Sequence, residues 1–472
     1  MELETIVFPA YAATLGLLAL YGVHRVAMLA RFRWEEESEA APLAAHVPKV
    51  TVQLPVFNER TVAARLIQAA GELEWPADRL EIQVLDDSND ETTSIVDAEV
   101  RRLVERGLDA CVIRRSDRRG FKAGALDHGL ATARGEFVCI FDADFVPDPD
   151  FLRRLMPSFS DPKVGMVQAR WGHANREDNL LTRAESTLLD GHFVIEHKVR
   201  HDSGLFFNFN GTAGIWRRAA IDAAGGWEHD TLTEDLDLSY RAQLAGWKFV
   251  YAPMVVAPAE VPPDIAAFKS QQHRWAKGSV QVFKKLGWRI LTSKEPLSVK
   301  LEALAHLTGN VGYPCVLLLA LLMPLAIHNM PEYPAWMHVG MFFVCTISVV
   351  MFYEQSQRAI GRPFGRRISD IVAAIVLGIG MCVSQTRAVI EGLLPGTGVF
   401  VRTPKKGDGR SKTYRAIWKG LPGIELVLAG WFGWALYSAV ELELWGTLPF
   451  LLLFFASFAW VGGMSLKSFV RG

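Results

Sequence analysis

The 472-residue chain reads as an α/β domain with a doubly wound, mostly parallel sheet, set into an α-helical membrane part. Three observations predict this. Short β-branched runs alternate with helical patterns from Lys49 to about Leu286. Long apolar runs precede and follow that block, each able to span a bilayer. Hydrophobic residues make up 50% of the chain, which argues against one soluble domain. The net charge of −1 gives no electrostatic footprint for nucleic acid. Cys111, Cys139, Cys315, Cys345 and Cys382 show neither metal spacing nor a disulfide framework, which fits a reduced cytosol and a membrane interior.

The first apolar run covers residues 6–23. Acidic Glu2 and Glu4 precede it, and basic Arg25, Arg31 and Arg33 follow. That order predicts an uncleaved anchor over residues 1–34 with its carboxyl end in the cytosol. Residues 35–48, rich in Glu and Ala, read as a linker. Strands are then expected at 50–54, 82–85, 111–114 and 137–141, with helices at 61–73, 91–106 and 122–133. Parallel sheets of this kind bind ligands at the carboxyl ends of their strands.

Charged and aromatic motifs fall at those ends. Asp142 and Asp144 follow the fourth strand, and alternate residues of an extended chain point the same way. They either converge on one hard cation, Mg²⁺ or Mn²⁺, or form a solvated acidic loop. Pro55 is expected to stop the first strand. Phe57 and Glu59 then either stack on and hydrogen-bond a nucleoside or form an ordinary turn into a helix. Asp86 and Asp87 repel unless cations or donors neutralise them; Ser88 or Asn89 alternatively caps a helix. Lys122 opens a helix whose amino end can face phosphate, or is a surface lysine. Glu234 and Asp235 begin another helix, where they complement its dipole or supply a general base. Gln271, Arg274 and Trp275 share one helix face. A guanidinium there can grip a diphosphate, and an indole gives a sugar a flat platform. Trp275 as a membrane-interface anchor is the other reading.

Pro-x-Phe-Asn-Glu, Asp-Asp-Ser, Asp-Ala-Asp, Thr-Glu-Asp and Gln-x-x-Arg-Trp, in this order, resemble glycosyltransferase family 2, processive type. The stretches VQLPVFNER, WPADRLEIQVLDDSND, QARWGHAN and FNGTAGIWR resemble the plant cellulose-synthase-like mannan and glucomannan synthases. The resemblance implies a GT-A fold over residues 49–290 and a nucleotide-sugar donor of the UDP-glucose or GDP-mannose class. It implies that Asp86 and Asp87 contact nucleoside and diphosphate, and that Asp142 and Asp144 hold the metal. Asp235 would be the base, Arg274 would meet the diphosphate and Trp275 the acceptor sugar. Residues 400–412 resemble the family's gating loop, with Thr403 and Lys405 over the donor; Arg402 stands where the family usually has valine. Neutralisation of the leaving diphosphate makes a general acid unnecessary, so direct displacement with inversion is expected.

Residues 304–327, 335–353, 421–440 and 444–466 are further candidate spans within a membrane part covering 300–472. Residues 368–394 are apolar too, but basic loops flank them on both sides. Both loops belong in the cytosol, and one crossing cannot join them, so an interfacial helix is expected there. Asn310, Glu425 and Glu441 should face protein or an aqueous path. The sequence thus predicts a multi-pass protein of the plasma (inner) membrane, with a cytosolic catalytic domain. Its expected activity is elongation of a β-glycan; the alternatives are a glycolipid-forming transferase with a lipid acceptor and a non-catalytic membrane binding or transport protein, against which every motif carboxylate is present.

Overall fold

The computed structural model describes residues 2–34, 47–328, 335–396 and 423–471. The linker expected at 35–48 and the loop at 400–412 fall wholly or mostly outside them.

Seven strands form one sheet: β1 (Val50–Val56), β2 (Leu80–Asp86), β3 (Asp109–Ile113), β4 (Phe137–Ile140), β5 (Val164–His173), β6 (Gly214–Arg217) and β7 (Lys248–Ala259). Their order is β3-β2-β1-β4-β6-β5-β7. Every pairing is parallel except those of β6 with β4 and β5. The four expected strands are present, and β5, β6 and β7 extend the sheet. The sheet is therefore mixed at one side.

Strand alternation gives the sheet two buried faces. Val50, Val52, Leu54, Phe137, Cys139 and Phe141 pack into one core. Val138, Ile140 and Leu85 pack into the other. Polar residues of β1 and β2 that alternate with them are paired: Thr51 donates to Glu81 (2.7 Å) and Gln53 to Gln83 (3.0 Å). Pro55 does not stop β1, which continues to Val56 beside Asp86. The pairing with β4 ends at Gln53, so the missing proline N–H interrupts no ladder on that side.

Among the described residues, four helical stretches are long and apolar enough to cross a membrane: Ile6–Arg31, Leu297–Ile327, Gly423–Glu441 and Trp445–Val470. A further helix, Ala335–Ala359, forms where the sequence expects a span. Phe364–Gly380 and Cys382–Leu393 meet at a 50° bend. The first of them buries Asp370, Ile371, Ala374 and Leu377 along one face. Arg183 of the α/β domain (2.8 Å) and Arg362 (3.0 Å) hold the Asp370 carboxylate. The exposed side of the same helix carries Phe364, Ile368 and Val372.

Two of the polar groups expected to face protein, Glu425 and Asn310, have partners. Glu425 meets the Lys269 ammonium at 2.5 Å with both groups buried, and Ser465 lies 2.9 Å from the same nitrogen. Asn310 donates to Ser279 at 2.9 Å. Glu441, by contrast, is exposed at its helix end. Removing one member of a buried pair leaves a charge without its counter-charge, at a cost of about 3–5 kcal/mol. Glu425→Ala should therefore lower the thermal unfolding midpoint clearly in detergent. A Lys269→Met/Glu425→Met double variant should recover most of it, which differential scanning fluorimetry would read.

Candidate active site

A cavity of ≈ 220 Å³ opens at the carboxyl edge of β1 and β4. Its walls contain Pro55, Phe57, Glu59, Asp87, Lys122, Asp142, Asp144, Glu234, Asp235, Gln271, Arg274 and Trp275. Residues spread over more than 200 positions of sequence thus share one concave surface. Asp86 is not among them: it is buried beside the cavity, with Arg114 Nε 2.9 Å from its carboxylate. Thr403 and Lys405 lie outside the described residues.

Each wall is held by local chemistry. The turn after β1 carries Asn58 at φ 55°, a left-handed conformation that non-glycine residues seldom adopt. Ser88 and Asn89 secure it: Asn58 N–H donates to Ser88 Oγ (2.9 Å), and the Asn58 side chain exchanges bonds with Asn89 (2.9 and 3.0 Å). Ser88 and Asn89 therefore lock this turn, and it is Asp90 Oδ1 that accepts from Thr92 N–H (2.9 Å) at the start of the helix Thr92–Glu105. Arg115 grips both oxygens of Asp87. Arg118 stacks its guanidinium 3.2 Å from the Phe57 ring centroid. These arginines supply the neutralisation that adjacent carboxylates require.

The floor is the turn before β6. Thr212 Oγ1 accepts from Asp142 N–H (2.8 Å), and Ala213 N–H donates to Ile140 O (2.8 Å). Gly211 has φ 82°, and a Cβ there would stand 2.9 Å from Asp235 Oδ2 and 3.3 Å from Lys122 Nζ. Lys122 donates to Asp142 (2.5 Å) and to the Gly211 carbonyl (2.9 Å). Phe121 and Ala213 join Asn58 as non-glycine residues with positive φ, so strained backbone collects around this cavity.

Charge is dense here. Burial, and then the neighbouring Glu234 carboxylate, raise Asp235 to about 7. Burial also raises Glu234, against the pull of Lys122. Burial opposes the charge on Lys122, but Asp142 and Glu234 outweigh it and hold the amine above its ordinary range. Burial draws Arg274 down to about 10, although Glu234 and Asp142 favour its charge.

Two wall residues, Trp171 and His173, lie in the stretch QARWGHAN that carries the resemblance, but the sequence reading gives them no site role. Trp171 lies 6.5 Å from Trp275 between ring centroids and also packs on Phe145 and Phe193. His173, whose Nε2 is 3.2 Å from Asp190 Oδ1, stands two residues further along β5. Their signal was the alternation at the end of an unassigned strand.

Asp142 and Asp144 suit a hard divalent ion. They offer two carboxylates in one wall, and Asp142 already attracts the Lys122 ammonium. Glu228, Asp230 and Asp237 form another acidic group, but Lys285 Nζ sits 2.5, 2.7 and 3.0 Å from them and supplies its cation.

Residues 48–278 match the family model "Glycosyltransferase like family 2". Glucomannan 4-beta-mannosyltransferase 2 of Arabidopsis thaliana is 38% identical over 400 residues, covering 81% of this chain and 72% of that protein. The chain belongs to the cellulose-synthase-like glycosyltransferases of family 2. Glucomannan 4-beta-mannosyltransferase 1 of Cyamopsis tetragonoloba is 34% identical over 432 residues, covering 88% of this chain and 79% of its own. Among solved structures, mannosyltransferase PcManGT from Pyrobaculum calidifontis, in complex with GDP-Man and Mn²⁺, superposes with a TM-score of 0.55 at 22% identity. That superposition covers 83% of this chain and 99% of PcManGT. The α/β domain of this glycosyltransferase has the GT-A fold.

Gly211→Ala tests the close approach at the floor. The left-handed backbone costs an alanine about 1–2 kcal/mol, so the fold should persist. Its methyl group displaces Asp235 and Lys122, and misplacement on that scale should lower turnover by at least about tenfold. Sugar transfer and thermal unfolding measured on the same preparation would show both effects.

Proposed function

We propose that this glycosyltransferase is a membrane-embedded, inverting hexosyltransferase that elongates a β-linked polysaccharide of the mannan or glucomannan type. Its donor is a nucleotide sugar of the GDP-mannose or UDP-glucose class. The observation that carries the reading is that carboxylates from four separate motifs meet Arg274 and Trp275 in one cavity. The names of the relatives, and the GDP-Man bound by PcManGT, support the substrate class.

The nucleoside lies toward Pro55, Phe57 and Glu59, and its diphosphate toward Arg274 and Lys122. Asp142 and Asp144 would hold Mg²⁺ or Mn²⁺, which when bound neutralises charge on the diphosphate. Asp235 accepts the proton of the acceptor hydroxyl as that oxygen attacks the sugar C1. The C1–O bond to the diphosphate breaks, and its electron pair leaves with the nucleoside diphosphate. Attack opposite the leaving group converts an α-linked donor into a β-linkage. Arg274 and Lys122 oppose the charge that develops on the leaving oxygen. Glu234, beside Asp235, holds the base's pKa near the working range. Trp275 and Trp171 offer apolar faces to the acceptor sugar.

We assign residues 49–290 to the cytosol, between the anchor at 1–34 and the helices of 300–472. The bent pair at 364–393 is taken as interfacial, and Thr403 and Lys405 as part of a loop that covers the donor. The membrane is the plasma (inner) membrane, and the product passes through the helical part. Apolar helices on both sides of the catalytic domain support this arrangement.

Asp235→Asn keeps the side-chain shape but removes the base, so kcat should fall on the order of 10² or more. A base with a pKa of about 7 is charged only above that pH. Wild-type kcat/KM should therefore fall as pH drops through about 7, by up to roughly tenfold per unit. A pH–rate profile of purified protein would check the sign.

The function itself is tested by supplying GDP-mannose, UDP-glucose and other nucleotide sugars to purified protein. Long chains retained on the protein are the expected product from at least one donor. A single sugar attached to lipid under excess donor would replace the polymer reading by the glycolipid alternative.

A further inference from the structure

The last turns of the helix Ile265–Thr292 and the first turns of Leu297–Thr308 carry large apolar side chains outward. Both helices bury one side in a shared core: Val282, Leu286 and Ile290 from the first, Val299, Ala303 and Leu307 from the second. Their other sides are open among the described residues. Trp288 is 77% exposed and Leu297 70%, and Leu291 and Leu301 are about half exposed (47% and 58%). Lys284, one turn before Trp288, donates to the Leu393 carbonyl at 2.8 Å, which brings exposed Leu393 and Leu394 to the same surface. Apolar groups gathered in this way mark an interaction surface.

The same stretch is basic. Residues 284–301 hold Lys284, Lys285, Arg289, Lys294 and Lys300 against one acid, Glu295. Lys285 is engaged by Glu228, Asp230 and Asp237, and Lys284 by helix-end carbonyls. Arg289 and Lys294 are exposed, and their side chains have no partner among the described residues.

Contacts with the amino-terminal helix give this patch a depth. Tyr21 Oη donates to the Thr308 carbonyl (3.2 Å), and His24 Nε2 lies 2.8 Å from Glu302 Oε2. The two helices thus run antiparallel, so later residues of one stand level with earlier residues of the other. At about 1.5 Å per residue, the turn at 293–296 comes level with the end of the amino-terminal helix at Arg31. Arg25, Arg31 and Arg33 gather at that end, as basic residues do on the cytosolic side of a span. Lys294 lies in the turn, and Leu291, Arg289 and Trp288 lie within two helical turns before it. An indole, with an apolar body and one N–H, favours that boundary.

We propose that this patch is a docking surface for anionic phospholipid of the cytosolic leaflet: Trp288, Leu291, Leu297 and Leu301 enter the interfacial layer, and Arg289 and Lys294 bind lipid phosphates. The inference rests on the membrane-embedded reading given above. The occupant is a lipid headgroup and not free phosphate, because the basic side chains alternate with apolar ones that only a bilayer covers. Lipid contacts here hold the end of the helix that carries Gln271, Arg274 and Trp275 into the cavity.

The test reconstitutes the full-length protein into vesicles of phosphatidylcholine mixed with phosphatidylglycerol, with bromine on the chains of one lipid at a time. Bromine quenches indole fluorescence on contact, and the Trp288 signal is the difference between wild type and Trp288→Phe. Brominated phosphatidylglycerol should quench Trp288 roughly fivefold more effectively than brominated phosphatidylcholine, about what one basic residue near an anionic surface supplies. The preference should weaken as salt rises. In an Arg289→Gln/Lys294→Gln background it should vanish, while phosphatidylcholine still quenches Trp288. Equal quenching by both lipids in the wild type, or a preference that survives the double substitution, would overturn the proposal. So would a Trp288 that neither lipid quenches while other tryptophans are quenched. A protein whose fluorescence no lipid quenches at all would overturn this proposal together with the membrane-embedded reading beneath it.

Discussion

Seven carboxylates, Glu59, Asp87, Asp142, Asp144, Glu234, Asp235 and Glu260, line one small cavity, and their mutual repulsion is the constraint that shapes this molecule. Like charges in a low-dielectric pocket are tolerated only when cations or donors meet them. Arg115 answers Asp87, and Lys122 answers Asp142 while binding the Gly211 carbonyl. Arg274 favours the ionised form of Glu234. The strained turns at Asn58, Phe121 and Ala213 are a consequence: they bring these groups close and are held by bonds from neighbouring elements. The same arrangement leaves a concave, cation-seeking surface of the kind a diphosphate with its metal would fill.

One helix links that cavity to the apolar helices. Ile265–Thr292 carries Gln271, Arg274 and Trp275 into the cavity wall. Lys269, two residues before Gln271, is buried against Glu425 and Ser465. Further along, Gly392 lets the neighbouring helix Cys382–Leu393 approach closely: a Cβ there would stand 2.8 Å from Val280 and 3.0 Å from the Lys277 carbonyl. A rigid element shared in this way ties the geometry of Arg274 and Trp275 to the packing of the membrane-type helices. Arg200, buried in the α/β domain, contacts Glu302 (2.9 Å), which reaches His24 (2.8 Å), and these contacts make a second tie. Catalytic and apolar parts are thus joined by buried charge as well as by hydrophobic contact, and buried ion pairs tolerate little displacement.

The sequence by itself determined the alternation of β1 to β4 with their helices, the family, and most of the residues that meet in the cavity. Those features are local: a β-branched run, a carboxylate at a strand end, or a three-to-four-residue spacing on one helix needs only its neighbours to be read. Only the tertiary structure decided the rest. β6 is antiparallel because its pairing is set by partners 46 to 80 residues away, Val167 and Phe137 among them, and no local pattern carries that direction. Asp86 and Asp87 look equivalent in sequence, yet one is turned inward to Arg114 and the other toward the cavity, because successive residues leaving a strand face opposite ways. Trp171 and His173 became site residues only when β5 and the turn before β6 closed over the sheet edge, since a cavity wall is a property of distant segments brought together.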